Sequence, residues 1–194
     1  MTLSSDALDI LLRHDHWATR RVLEICATLT PEQFGRKFEI GPGSLHHTLA
    51  HTVGAMRRWA DRIVGRELRP SIDALRGGAA AEVRVFTPQE LVGLLDEAAT
   101  DLAVIATEAR LPGGSGLDSV IEVQFGPTLY RFTRGAALVH IGTHGMHHRA
   151  QCMNMIRRLG LPGLSAEDLP EIGVCDWQAE VETKQLKPFV RPAH

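Results

Sequence analysis

Aromatic residues are scarce in this chain: its 194 residues include three Trp, one Tyr and six Phe. The apolar content, 44% of the chain, is therefore mostly aliphatic and rich in Ala and Leu. That balance disfavours a β-sandwich, which wants Val, Ile, Thr and Tyr, and favours packed helices. Cysteine is scarce as well. Cys26, Cys152 and Cys175 are odd in number and lack a CxxC spacing, so reduced thiols in a cytoplasmic protein are expected rather than a disulfide framework. The formal charge is −2 and no run of like charge occurs, which leaves nothing to attract nucleic acid or an anionic membrane. Asp6 and Arg13 flank a short apolar run near the start, so neither a signal peptide nor a bilayer-spanning segment is expected. Repeats and low-complexity stretches are absent. Residues 1–194 are expected to form one soluble domain, long enough to bury a sizeable core.

What the chain does have is helical periodicity. Leu11, Ala18, Val22, Ile25 and Leu29 make one apolar stripe over about residues 5–29. Thr30-Pro31-Glu32-Gln33 reads as a capping box opening a short turn. After Gly41-Pro42-Gly43, Ser44 is placed to cap a helix reaching about Gly65, with Leu45, Leu49, Val53, Met56 and Ile63 on one face. Residues 66–86 have no period and read as a loop. Thr87-Pro88-Gln89-Glu90 is a second capping box, and Leu91, Leu95, Ala98, Leu102 and Ile105 continue a third helix. Ile121, Val123 and Phe125 alternate before Gly126-Pro127, which predicts a small hairpin near 119–132. A fourth helix runs from about Thr133 to Leu159 and stops at Gly160. The tail after 161 reads as irregular. The pattern is all-α: an up-down four-helix bundle with irregular loops and one small hairpin.

The chemistry is concentrated in the fourth helix. Four of the ten histidines, His140, His144, His147 and His148, fall within residues 140–151. His144 and His148 are spaced i, i+4, which stacks two imidazoles on one face about 6 Å apart at Cβ. They occupy places on the stripe Ala137, Ile141, His144, His148, Cys152, Met155 where the period asks for apolar residues. A buried imidazole needs a hydrogen-bond partner or a metal. A catalytic site usually takes a third protein ligand, and His14, His16, His46, His47 and His51 all qualify by residue type.

Ser44-Leu45-His46-His47-Thr48-Leu49-Ala50-His51, with Trp59 after it, resembles the second-helix signature of the DinB/YfiT-like family of metalloenzymes. His140, His144 and His147-His148-Arg149-Ala150-Gln151 resemble that family's fourth-helix pattern, H-x3-H-x2-H-H-R-G-Q, and Trp17 and Gly160 also match. The resemblance implies that His51, His144 and His148 hold one divalent metal inside a four-helix bundle. It also implies a homodimer. Two positions depart from the pattern: Ala150 stands in place of Gly, and Met56 stands where many relatives are acidic. With no carboxylate from that face, Asp15 on the inward stripe of the first helix becomes the candidate to orient a ligand imidazole. The alternative is that Asp15 leans to the open end of the bundle. His140 and His147 are candidates for acid–base or supporting roles, or are solvated.

Three imidazoles suit zinc or nickel first, and iron or copper after them. Such an ion can lower the pKa of a water or ionise a thiol. The resemblance leans toward thiol transfer, with a low-molecular-weight thiol as cosubstrate and an electrophilic small molecule as substrate; hydrolysis is the companion reading. Arg149 could hold a substrate carboxylate or belong to a structural ion pair, and Cys152 could be a soft ligand or a packing residue. Outside enzymology, the same residues fit a non-catalytic, stress-related metal-binding bundle, or a helical interaction domain with incidental histidines.

Overall fold

The structure is a computed structural model that describes residues 6–73, 84–113, 116–161 and 173–180. Its long helices are α1 (Ala7–Cys26), α3 (Leu45–Val64), α4 (Pro88–Glu108) and α5 (Arg134–Leu159); α2 (Pro31–Gly35) and α6 (Val174–Glu180) are short. Strands β1 (Val120–Phe125) and β2 (Thr128–Thr133) lie between α4 and α5.

Each long helix starts where a side chain can accept from an otherwise orphaned N–H. Asp6, Ser44, Thr87 and Thr133 accept from Asp9, His47, Glu90 and Ala136 in turn. At Thr87 the Glu90 carboxylate returns the bond to the cap N–H, completing the expected box. Gly65 and Gly160 end α3 and α5 in the left-handed region, with φ of 70° and 59°, where a Cβ would be strained.

The four long helices form a ring in the order α1, α4, α3, α5. The pairings that join them give their sense. His16 of α1 meets Asp96 of α4 at 2.7 Å while Asp6 meets Arg110, so these two run antiparallel. The N–H of Phe86, just before α4, donates to His46 at the start of α3, and Arg57 lies 3.8 Å from Glu97 midway, so α3 and α4 run parallel. The four-helix bundle and the hairpin are those read from the sequence, but the up-down order is corrected: the helix sense along the chain is up, down, down, up, with α3 and α4 parallel.

That order is possible because the chain after Gly65 doubles back along α3. Arg69 bonds Asp61, Ser71 receives Arg58, Ile72 lies on Gly54, and Asp73 reaches His51. A 20-residue helix is about 30 Å long, a distance that about ten extended residues cover. Gly54 permits the approach, since a Cβ there would sit 3.0 Å from Ile72.

The core lies inside the ring. Val22, Leu23, Leu45, Leu49, Leu91, Leu95, Leu138, Ile141 and Met155 are fully buried, each large aliphatic side chain contributing about 2 kcal/mol of transfer free energy. Met56 belongs to this core too. The hairpin pairs Val120 with Thr133 through to Phe125 with Thr128, close to the predicted span, and sets Phe125 and Phe132 against Trp59. One element departs from the irregular tail expected after 161. Helix α6 forms there, anchored by the buried Trp177 against His14 and Arg13. Seven residues are too few to show a period, so only this tertiary contact marks it. The remainder of that tail, and residues 74–83 of the 66–86 loop, lie outside the described residues.

Candidate metal centre

Helices α3 and α5 run antiparallel, which brings His51 opposite the His144–His148 turn. The Nε2 atom of His144 is 3.2 Å from Nε2 of His51 and 3.2 Å from Nε2 of His148. One ligand atom from each residue lies within 4.8 Å of the others. A zinc–imidazole bond is about 2.0–2.1 Å, so two nitrogens 3.2 Å apart subtend about 100° at a shared ion, near the tetrahedral value. The donor set therefore fits a divalent ion.

The ring nitrogens facing away from this point are held. Nδ1 of His51 donates to Asp73 at 2.6 Å, and Nδ1 of His148 donates to the Gln151 side-chain oxygen at 2.9 Å. Each bond fixes the tautomer that leaves Nε2 with its lone pair free for a metal. The other end of the Gln151 amide donates to His147 at 2.9 Å. Asp73 is buried and sits in a turn of its own: Ser71 accepts from its N–H and donates to its carbonyl, while Arg58 donates to Ser71 at 2.6 Å. The Arg58 guanidinium lies 3.9 Å from the Asp73 carboxylate, which offsets the cost of burying that charge.

Asp73 is the carboxylate the sequence reading did not find. No periodicity or spacing marks it, since it lies in a loop and reaches the site only because the chain doubles back along α3. Asp15 was the candidate for this task, and the structure places it elsewhere. It is buried between α1 and α5 in an ion pair with Arg149, which also donates to Thr19 at 3.1 Å. Burial pushes the Asp15 carboxyl above its usual range while Arg149 pulls it down. Arg149 is thus engaged by its own protein; a Cβ on Gly145 would strike this pair.

The other histidines sit apart from the centre. His46 is buried against Phe34, His47 bonds Ser44, His14 lies on Trp17 and His16 on Asp96. His140 is exposed, with its ring 5.5 Å from that of His144 and 5.2 Å from Trp59. Cys152 is fully buried in the apolar core, and burial pushes its thiol up to about 12.

Burial and then the neighbouring imidazoles push His144 down to about 3, and burial lowers His148 as well. Neutral rings are what a metal requires. The unfolded chain, with an ordinary histidine near 6.5, takes up the proton first as pH falls. Stability from His144 is then complete above about pH 6.5 and is lost between there and about pH 3. Melting of the metal-free protein at pH 7.5 and at 5.0 checks this: the midpoint should fall at the lower pH, and a rise would contradict the assignment. A second expectation concerns Asp73→Ala. It should weaken zinc binding about 10- to 100-fold, as loss of an outer-shell partner does, measured by competition with a chromophoric chelator.

No curated protein matches the chain. A profile of the DinB superfamily matches residues 14–152, more than half of the sequence and a span that includes the three imidazoles, Asp73 and Gln151. With the four-helix architecture and the histidine constellation in the same stretch, the chain belongs to the DinB superfamily.

Proposed function

We propose that this protein is a metal-dependent enzyme that acts on a small molecule at one divalent ion, zinc or nickel, held by His51, His144 and His148. Thiol transfer is the favoured reaction and hydrolysis the second. The observation that carries the reading is an incomplete ligand set beside an open recess. Structural zinc sites close the ion with four protein ligands, whereas among the described residues three converge here and Cys152 stays in the core. A recess of about 260 Å³ reaches His144 from outside, enough to admit a small substrate.

An ion so held supplies Lewis acidity, lowering the pKa of a thiol or water that reaches it. The chain does the rest. Asp73 and Gln151 hold two imidazoles in the ligating tautomer, and Trp59 with the hairpin's Phe125 walls the recess. His140, which lines the same recess, accepts the proton that leaves the thiol or water. In the transfer, the thiol sulfur forms a bond to an electrophilic carbon, the leaving group departs with the bonding pair, and the thiol proton passes to His140 or solvent.

The test is turnover of 1-chloro-2,4-dinitrobenzene with a panel of cellular thiols, and of p-nitrophenyl acetate without thiol, each with zinc and with chelator. A metal-dependent rate with thiol supports transfer. A metal-dependent rate on the ester alone moves the reading to hydrolysis. No metal-dependent rate on either sinks the enzymatic proposal and favours a non-catalytic metal-binding bundle.

A further inference from the structure

The recess beside His144 has a neighbour. A second recess, of about 320 Å³, lies along the start of α5, and its lining among the described residues is Trp59, Phe132, Ala136, Ala137 and His140. Trp59 and His140 line the first recess as well, so the two hollows share a wall. The two rings of that wall meet edge to face, 5.2 Å apart at their centres. Phe132 stands 5.6 Å from Trp59 in the second recess, and Phe125 stands 6.1 Å from it in the first.

The two recesses differ in character. The first contains Arg58 and Arg62, both engaged within the protein, by Ser71 and by the Trp59 ring among others. The second holds no carboxylate, ammonium or guanidinium among the described residues. Two alanines at successive positions of α5, Ala136 exposed and Ala137 buried, leave space that a larger side chain would fill. Aromatic rings favour tilted or edge-on neighbours with centres about 4.5–7 Å apart. Trp59 and Phe132, tilted at 60° to one another, offer such neighbours to a third ring. The volume is at the lower end of the usual 300–1,000 Å³ for small-molecule sites, so the occupant is one ring rather than several. His140 links this recess to the metal centre, its ring centre being 5.5 Å from that of His144.

From this we infer that the second recess is an aryl subsite of the metal centre: an uncharged aromatic group of the substrate lies against Trp59, Phe132 and Ala136, while its reacting end crosses the exposed His140 to reach His144. The inference rests on the function proposed above and names its substrate class, a small molecule with an aryl group about one helical turn, roughly 5 Å, from the reacting atom. It also gives the hairpin a task, because β2 delivers Phe132 to this recess.

Calorimetric titration of zinc-loaded protein with acetohydroxamate and with phenylacetohydroxamate tests it, because both carry the same metal-chelating group and differ by one phenyl ring. Zinc content is measured on the same samples. The expected result is binding of the phenyl compound about tenfold or more tighter in wild type. Ala136→Leu, which fills the recess from an exposed position, should reduce that preference below about threefold, and Ala136→Gly should keep it. A preference that survives in Ala136→Leu, or one lost equally in Ala136→Gly, overturns the subsite. Zinc bound with no preference in wild type overturns it and leaves the metal reading intact. If the protein takes up no zinc, the indole N–H resonance of Trp59, assigned with Trp59→Phe, is followed by NMR as each compound is added. A shift with the phenyl compound alone, lost in Ala136→Leu, keeps the subsite and overturns the metal reading. No such shift overturns both.

Discussion

Replacing His144 with alanine should strip the protein of its metal while leaving the bundle folded. Among the three imidazoles, His144 is the one whose Nε2 lies 3.2 Å from both of the others, so its loss leaves His51 and His148 without their common neighbour. Metal affinity in zinc sites with four ligands is worth about 10–16 kcal/mol, or about 3 kcal/mol per ligand, which corresponds to roughly a 100- to 1,000-fold loss. Competition with a chromophoric chelator would measure it. His140→Ala is the control: its ring is exposed and 5.5 Å from His144, centre to centre, and its removal should change zinc affinity less than threefold, about 0.6 kcal/mol. Equal losses in the two variants would mean that the ion sits elsewhere in the histidine cluster.

Arg149→Met is expected to have the largest effect on stability. Arg149 and Asp15 are both buried, and the arginine is the cation paired with that carboxylate. Removing one member of a buried pair leaves an uncompensated charge and costs about 3–5 kcal/mol. At about 2–4 °C per kcal/mol for a chain of this size, the melting temperature should fall by about 6–20 °C. The double variant Asp15→Leu/Arg149→Met removes both charges and should recover much of that loss. If Arg149 held substrate instead, Arg149→Met would melt like wild type and show its defect in KM. Gly142 and Gly145 let α1 and α5 approach closely around the pair: a Cβ at Gly142 would come within 2.7 Å of Leu11, and one at Gly145 within 2.8 Å of Arg149.

The helices and their caps were legible because their signals are local. Ser44 and Thr87 are followed by apolar residues at helical spacing, and each cap bond closes within three residues. The i, i+4 pair His144–His148 was legible for the same reason. His51 was not: by pattern alone it stood among five candidate histidines, and the likeness of Ser44–His51 to a family signature singled it out. The order of helices around the ring, and Asp73 with it, depended on a connection that returns along α3, and no local pattern encodes the path of an aperiodic segment. Arg149 shows a further limit. Its neighbour His148 suggested a site role, whereas its partner Asp15 lies 134 positions earlier.

The site as a whole is a carboxylate-backed imidazole on α3 facing an amide-backed imidazole on α5, with His144 between them. The two backing groups, Asp73 and Gln151, fix ring orientation and tautomer before any ion arrives, so little reorganisation is needed on binding. The opening beside His144, lined by arginine and aromatic side chains, determines what can approach.

X-ray absorption at the metal edge, combined with elemental analysis of protein loaded with zinc and then desalted, tests the central claim most directly. The account predicts one ion per chain, three imidazole nitrogens at about 2.0–2.1 Å and at least one light-atom ligand not supplied by the protein. It also predicts that His51→Ala, His144→Ala and His148→Ala each lower the imidazole count or remove the ion. A fourth protein ligand, a sulfur in the first shell, or an ion retained unchanged in all three variants would contradict it.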